Sequence, residues 1–302
     1  PTGVVMDGAH SRLLVMDKFE GAISVVDVTT EVETARVPFH DPSPTAIRVG
    51  RKHLYDTHKN SGLGQIACGS CHVDARFDRL AWDLGDPAGQ MKPTTGQNLG
   101  ANLPGLNTGF QDWHPMKGPM TTQTLQDIIG QEPLHWRGDR AGIEEFNPAF
   151  IGLQGDDTNL TPTEMQEFED FLATVAFPPN PFRNFDNTLP TNLPLPGHHT
   201  TGRFALPGQP LPNGNAQAGL SIYRPPRLLD AGVLTCVTCH TLPTGSGTDY
   251  RLQGATLVPF PPGPNGEHHR MLVSIDGSTN VTIKVPQLRN EYQKTGFDLT
   301  QS

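Results

Sequence analysis

The chain has 302 residues, enough for one large domain or two ordinary ones, with a net charge of −9 and only 35% hydrophobic residues. Thirty-two glycines and 29 prolines beside so thin an apolar content point to loop-rich structure. Acidic residues outnumber basic ones, 31 to 22, and no basic run could neutralise phosphates, which argues against a nucleic-acid partner; no stretch approaches the roughly 18–20 apolar residues of a membrane span.

Residues 1–47 differ from the rest. "RLLVMD", "AISVVDV" and "ETARVPF" are short apolar runs broken by Gly, Asp and Thr, a pattern that predicts three antiparallel strands. The stretch "AISVVDVTTEVETARVPFHDPSPTAI" resembles one blade of the bacterial YVTN-type repeat propellers. One blade cannot close a propeller, because each blade buries its faces on its neighbours. The segment therefore implies further blades, in a longer precursor or another chain, or else a small sheet docked on the region that follows.

Beyond residue 48 the pattern becomes helical and repeats itself. "GRKHLYDTHKNSGLGQIACGSCH" has its echo in "GLSIYRPPRLLDAGVLTCVTCH", and "TTQTLQDI" from Thr121 has one in "KVPQLRNEY" from Lys284. Two domains of one type in tandem explain the echo. Residues 48–178 form the first and 215–302 the second, joined by a Pro-rich linker over 179–214 that should run as an extended strap. The first closes with a helix from Thr161 to about Ala176. Thr161 caps it, Pro162 suits its first turn and Glu164 completes a capping box. Met165, Phe168, Leu172 and Val175 recur at helical spacing as its buried stripe.

All four cysteines fall in two C-x-x-C-H motifs, Cys68–Cys71–His72 and Cys236–Cys239–His240. Cysteines three apart at the start of a helical turn reach both vinyl groups of a porphyrin. The next residue, His, is then held under the iron as its proximal ligand. A four-thiolate zinc site would use two C-x-x-C pairs but gives no reason for His after each, and a thioredoxin-type pair would not be expected twice with that His. The expected cofactors are two covalent haem c groups. Thioether attachment outside the cytoplasm implies a periplasmic or extracellular protein. Pro1 is not an initiator Met, which suggests a mature form or a fragment.

The run into the first motif, the two Gln–Leu segments and "HWRGDRAGIEEF" from His135 resemble the bacterial di-haem cytochrome c peroxidase superfamily, which includes the MauG-like enzymes that mature methylamine dehydrogenase. "KGPMTTQTL" and "PLHWRGDR" more closely resemble a subgroup fused to YVTN-type β-propellers. The fold that the resemblance implies is mainly α: two tandem cytochrome c-type haem domains, here preceded by the short β segment. It places Trp136 between the haems as an electron relay and Arg289 against a haem propionate. It puts Phe146 where the peroxidases carry a Gln, and leaves Glu144 or Glu145 as candidate acid/base. The family continues past such a C-terminal segment, which suggests a truncated end.

The sixth iron ligands decide the chemistry. "DWHPMKGPM" offers His114, Met116 and Met120 over the first haem; "GEHHRMLV" offers His268, His269 and Met271 over the second. His198 and His199, in the linker, should be solvated. The leading reading is an exported electron-transfer module with a small cytochrome or cupredoxin as redox partner. The alternatives are a peroxidase or MauG-like oxidant with one open iron, and a propeller-based scaffold carrying haem modules.

Overall fold

The computed structural model describes residues 2–92, 114–116, 118–203, 205–224, 235–247, 250–253, 256–259, 271–272 and 283–291. The chain divides into two compact units. The first comprises Pro1–Asp78, Thr124–Ile129 and Ile143–Val175; the second comprises Arg79–Gln123, Gly130–Gly142 and Ala176–Ser302.

The first unit opens on a four-stranded antiparallel meander, β1 (Gly3–Asp7), β2 (Arg12–Asp17), β3 (Ala22–Asp27) and β4 (Val32–Pro38). The three apolar runs form β2, β3 and β4, and β1 is a fourth strand that the sequence pattern did not single out. Asp27 accepts from the amides of Thr29 and Thr30 at 2.9 and 2.8 Å, which closes the β3–β4 turn. One face is apolar. Val5, Leu14, Val25 and Ala35 form one row, beside Met16, Ile23 and Val37 on the same face. The opposite face carries Val4, Val15 and the buried Ser24.

Helix α1 (Thr45–Tyr55) follows and crosses α5 (Pro162–Ala173). The approach is close because Gly50 has no side chain: a Cβ there would lie 2.1 Å from the Glu167 carbonyl oxygen. Leu54, Phe150, Met165, Phe168 and Leu172 are buried around this crossing. The Phe150 and Phe168 rings meet edge-on at 6.5 Å. Buried Arg51 ties α1 back towards the sheet, donating to the Lys18 carbonyl at 2.8 Å and pairing with Asp41 at 2.6 Å. At the start of α5, Thr161 and Glu164 make the expected reciprocal cap, and Glu164 also pairs with Lys59. Between them lie α2 (Thr57–Asn60), α3 (Cys68–Cys71) and α4 (Pro148–Gly152).

Among its described residues the second unit is mostly turns and short ladders. Its pairs are β5 (Ala81–Trp82) with β6 (Met120–Thr121), β7 (Tyr250–Gln253) with β8 (Thr256–Pro259), and β9 (Met271–Leu272) with β10 (Ile283–Lys284). Its helices are α6 (Ala216–Tyr223) and α7 (Cys236–Cys239). Residues 193–214 do not run as an extended strap but fold back, with bridges Leu193–Gly214 and His199–Pro210.

The expectation of a mainly α chain of tandem cytochrome c-type haem domains is therefore corrected. Among the described residues the longest helix has 12 residues, and three helices have only four. A four-stranded sheet is the largest regular element of the first unit, and short antiparallel pairs frame the second. The reason lies in the local chemistry. Prolines and glycines interrupt the backbone before helices can propagate, and Asp, Asn and Thr side chains bind nearby amides in turns instead. The sequence echo survives as two similar local turns. No described helix is long and apolar enough to cross a membrane.

Candidate functional site

The two C-x-x-C-H motifs fold alike. In each, the two cysteines bound a four-residue helical turn preceded by an extended residue, Ala67 (φ −142°, ψ 169°) or Thr235 (φ −126°, ψ 165°). The amide of that residue donates to a hydroxyl three positions on, Ala67 to Ser70 and Thr235 to Thr238, both at 3.1 Å. The histidine ends the turn by donating its amide to the first cysteine's carbonyl, His72 to Cys68 and His240 to Cys236, both at 2.9 Å. The hydroxyl residue between the cysteines is thus a cap shared by "CGSCH" and "CVTCH".

Each turn leans on a tyrosine. Tyr55 and Tyr223 each stand 13 residues before their motif's first cysteine, an offset that was legible in the sequence but not used. Tyr55 packs on the first turn so closely that a Cβ on Gly69 would lie 2.6 Å from its ring. The Tyr223 hydroxyl donates to the His240 carbonyl, and burial beside Cys236 and Cys239 pushes its phenol up to about 12.

The segments downstream return to the loop after each histidine. The Leu125 amide donates to the Ala75 carbonyl at 2.9 Å, three residues beyond His72. Leu288 packs on Gly245, five beyond His240; Gly245 holds φ +69°, and a Cβ there would lie 2.8 Å from that of Leu288. The Gly245 carbonyl accepts from His240 Nδ1 at 2.8 Å. This places the ring proton on Nδ1 and leaves the Nε2 lone pair for a metal.

All four cysteines are part-buried. Burial pushes the Cys68 thiol up to about 11, partly opposed by a hydrogen bond from Gln154 Nε2 to its sulfur at 3.4 Å. Burial also raises Cys71, with the Asp78 carboxylate adding to it. Among the described residues, no three His, Cys, Asp or Glu side chains gather as a metal-ion cage.

The remaining candidates lie as follows. Trp136 is half-buried, its indole donating to the Thr121 carbonyl at 2.7 Å while its own carbonyl accepts from the Lys284 amide at 2.8 Å. Arg289 carries its guanidinium 4.4 Å from the centre of the Phe177 ring. Glu144 and Glu145 are exposed on a 3₁₀ turn whose inward residue is Ile143. His114 is exposed and its Nδ1 accepts from the Met116 amide at 3.0 Å, so the neutral ring carries its proton on Nε2, opposite to His240. Met120 is half-buried in β6, paired with Trp82. Met271 lies in β9, whereas His268 and His269 fall outside the described residues. His199 is exposed and His198 half-buried. The sequence reading missed Gln154, Tyr223 and Gly245.

No family of known proteins matches the chain, and no curated protein does. Among solved structures the chain is similar to the hydrazine synthase of Kuenenia stuttgartiensis, with a TM-score of 0.38 and 16% identity. The match covers 85% of this chain and 64% of that one, so the chain spans less than two thirds of that protein's length. A likeness so slight carries no argument about function.

Proposed function

We propose that the chain is an exported di-haem c-type cytochrome that passes electrons between two covalently bound haems and a redox partner such as a small cytochrome or cupredoxin. The observation that carries this reading is the shared local fold of the two C-x-x-C-H turns, with one capping scheme and a histidine closing each. The donor set suits the group. Two thiols three residues apart with an imidazole directly after them suit a ring that takes sulfur at its edge and nitrogen at its centre, and the bond from His240 Nδ1 to the Gly245 carbonyl leaves Nε2 for a metal. A haem so held supplies one-electron redox chemistry. The protein's own part is to fix the ring nitrogen, through the Gly245 carbonyl, and the backbone of the motif, through the Tyr223 hydroxyl. This reading keeps the chain beside the bacterial di-haem peroxidase and MauG-like superfamily in cofactor, with electron transfer rather than peroxide chemistry as its task.

The test is a reduced-minus-oxidised spectrum combined with low-temperature electron paramagnetic resonance on the exported protein. Two low-spin haems that take up and release electrons reversibly are expected. A high-spin iron with fast peroxide turnover that depends on Glu144 or Glu145 would install the enzyme reading instead.

One observation favours a scaffold role in addition. Val5, Met16 and Val37, on one face of the meander, are 63%, 43% and 53% exposed, an apolar face of the kind that a neighbouring sheet covers. Sedimentation of the protein with and without Met16→Lys tests it: association lost in the variant supports docking through this face, and unchanged sedimentation removes it.

A further inference from the structure

We propose that Gln154 is the positioning residue for the first haem attachment, its buried carboxamide holding the Cys68 sulfur in place. This rests on the reading of Cys68–His72 as a haem-attachment turn. Gln154 is 4% exposed and comes from the loop after α4, 86 residues from the cysteine it touches. That loop is pinned. The amides of Leu153 and Gln154 both donate to the Ala149 carbonyl, at 2.9 and 3.1 Å, and the Asp156 amide donates to the Phe150 carbonyl at 2.9 Å. On its outer side, Gly62 approaches so closely that a Cβ would lie 2.1 Å from the Gly155 carbonyl oxygen. The carboxamide is therefore delivered to Cys68 by the backbone.

Its two ends are used unequally. Nε2 donates to Cys68 Sγ at 3.4 Å, while Oε1 is buried without a hydrogen-bond partner among the described residues. Buried polar atoms of this kind are uncommon and call for a reason. A carboxamide donates at one end and accepts at the other, so a half-turn of its terminal torsion serves Cys68 in two chemical states. Nε2 donates to the sulfur as it stands and keeps that role once the sulfur no longer carries hydrogen; turned over, Oε1 would accept from the thiol. Attachment is an addition of Cys68 S–H across a porphyrin vinyl group. Sulfur bonds to the carbon next to the ring, the hydrogen goes to the terminal carbon, and no electrons are gained or lost. Gln154 transfers no proton in this step; it orients the sulfur before it and satisfies the sulfur after it. No such carboxamide contact is made to Cys236 among the described residues, so the second motif is an internal control.

The experiment uses the full chain, matured in a host that attaches haem c, with Gln154→Met and Gln154→Glu beside the unmodified protein. Unattached thiols are alkylated with iodoacetamide and counted by peptide mass spectrometry. The free fraction of Cys68 relative to Cys71 should rise by roughly two- to tenfold in both variants, the factor that one hydrogen bond is worth. Cys236 and Cys239 should stay attached, and the pyridine haemochrome band should move to longer wavelength as a vinyl group is kept. Normal attachment at Cys68 in both variants overturns the proposal, and so does equal loss at Cys68 and Cys71, which would mean a purely structural role. Absence of haem at Cys68 in the unmodified protein overturns the attachment reading itself.

Discussion

Gly245→Ala joins backbone, packing and cofactor geometry in one change. Gly245 sits at φ +69°, and a Cβ there would come within 2.8 Å of the Leu288 Cβ and 3.2 Å of its amide nitrogen. The left-handed backbone costs an L-residue about 1–2 kcal/mol. The clash adds overpacking of about 1–3 kcal/mol, because the loop must move away from Leu288. Gly155→Ala separates the two effects: Gly155 has the same φ of +69° with nothing within 4 Å of its added Cβ, so only the backbone cost applies. Urea denaturation followed by circular dichroism should therefore show Gly245→Ala as the more destabilised variant, by a total of about 2–5 kcal/mol against about 1–2 kcal/mol for the control. The displaced carbonyl should also release His240 Nδ1, now held at 2.8 Å. A proximal histidine without that acceptor is a weaker base, so the reduction potential of the second haem should rise. Equal destabilisation of the two variants, with an unchanged potential, would refute the account of the Leu288–Gly245–His240 contact.

Tyr223→Phe removes the hydroxyl that donates to the His240 carbonyl and should cost about 1 kcal/mol in a denaturant titration while leaving haem content at the second motif unchanged. Thr161→Ala removes the α5 cap and should destabilise by about 1 kcal/mol in the same assay. Glu164 provides a pH signature. The Lys59 ammonium, then the Thr161 amide, hold its carboxyl down at about 2 against an ordinary value of 4.5. A depressed carboxylate contributes fully above its unfolded value and loses the contribution as pH falls towards its folded one. The difference in melting temperature between the parent and Glu164→Gln should be constant above pH 4.5 and shrink from there towards pH 2. A difference independent of pH would remove the ion pair from the account.

The sequence made the local chemistry legible wherever neighbours in the chain make it. The Thr161–Glu164 cap, the buried Met165, Phe168 and Leu172 of the stripe and the apolar runs of β2 to β4 appear where the residues placed them, whereas the helix stops at Ala173 and leaves Val175 half-buried beyond it. Both C-x-x-C-H turns are capped from within the motif by Ser70 and Thr238, which the sequence reading did not single out. The mainly α architecture was misjudged because a repeated motif was extended to whole domains, over stretches where Pro, Gly and Asp favour turns. Gln154 could not be read at all: it meets Cys68 across 86 residues, and no spacing links them. Gly245 is intermediate. A Gly five residues after the second histidine suggests a turn, but only the approach of Leu288 makes it a requirement. Tyr55 and Tyr223 were within reach, since their equal offsets from the two motifs are visible in the sequence.

The central claim is that each C-x-x-C-H turn carries one covalent haem, and haem stoichiometry in denatured protein tests it most directly. The matured chain should keep its haem through acid-acetone extraction and give a pyridine haemochrome equivalent to two per chain, one for each pair among its four cysteines. Haem that extracts into the solvent, or a stoichiometry of one or none, would contradict it.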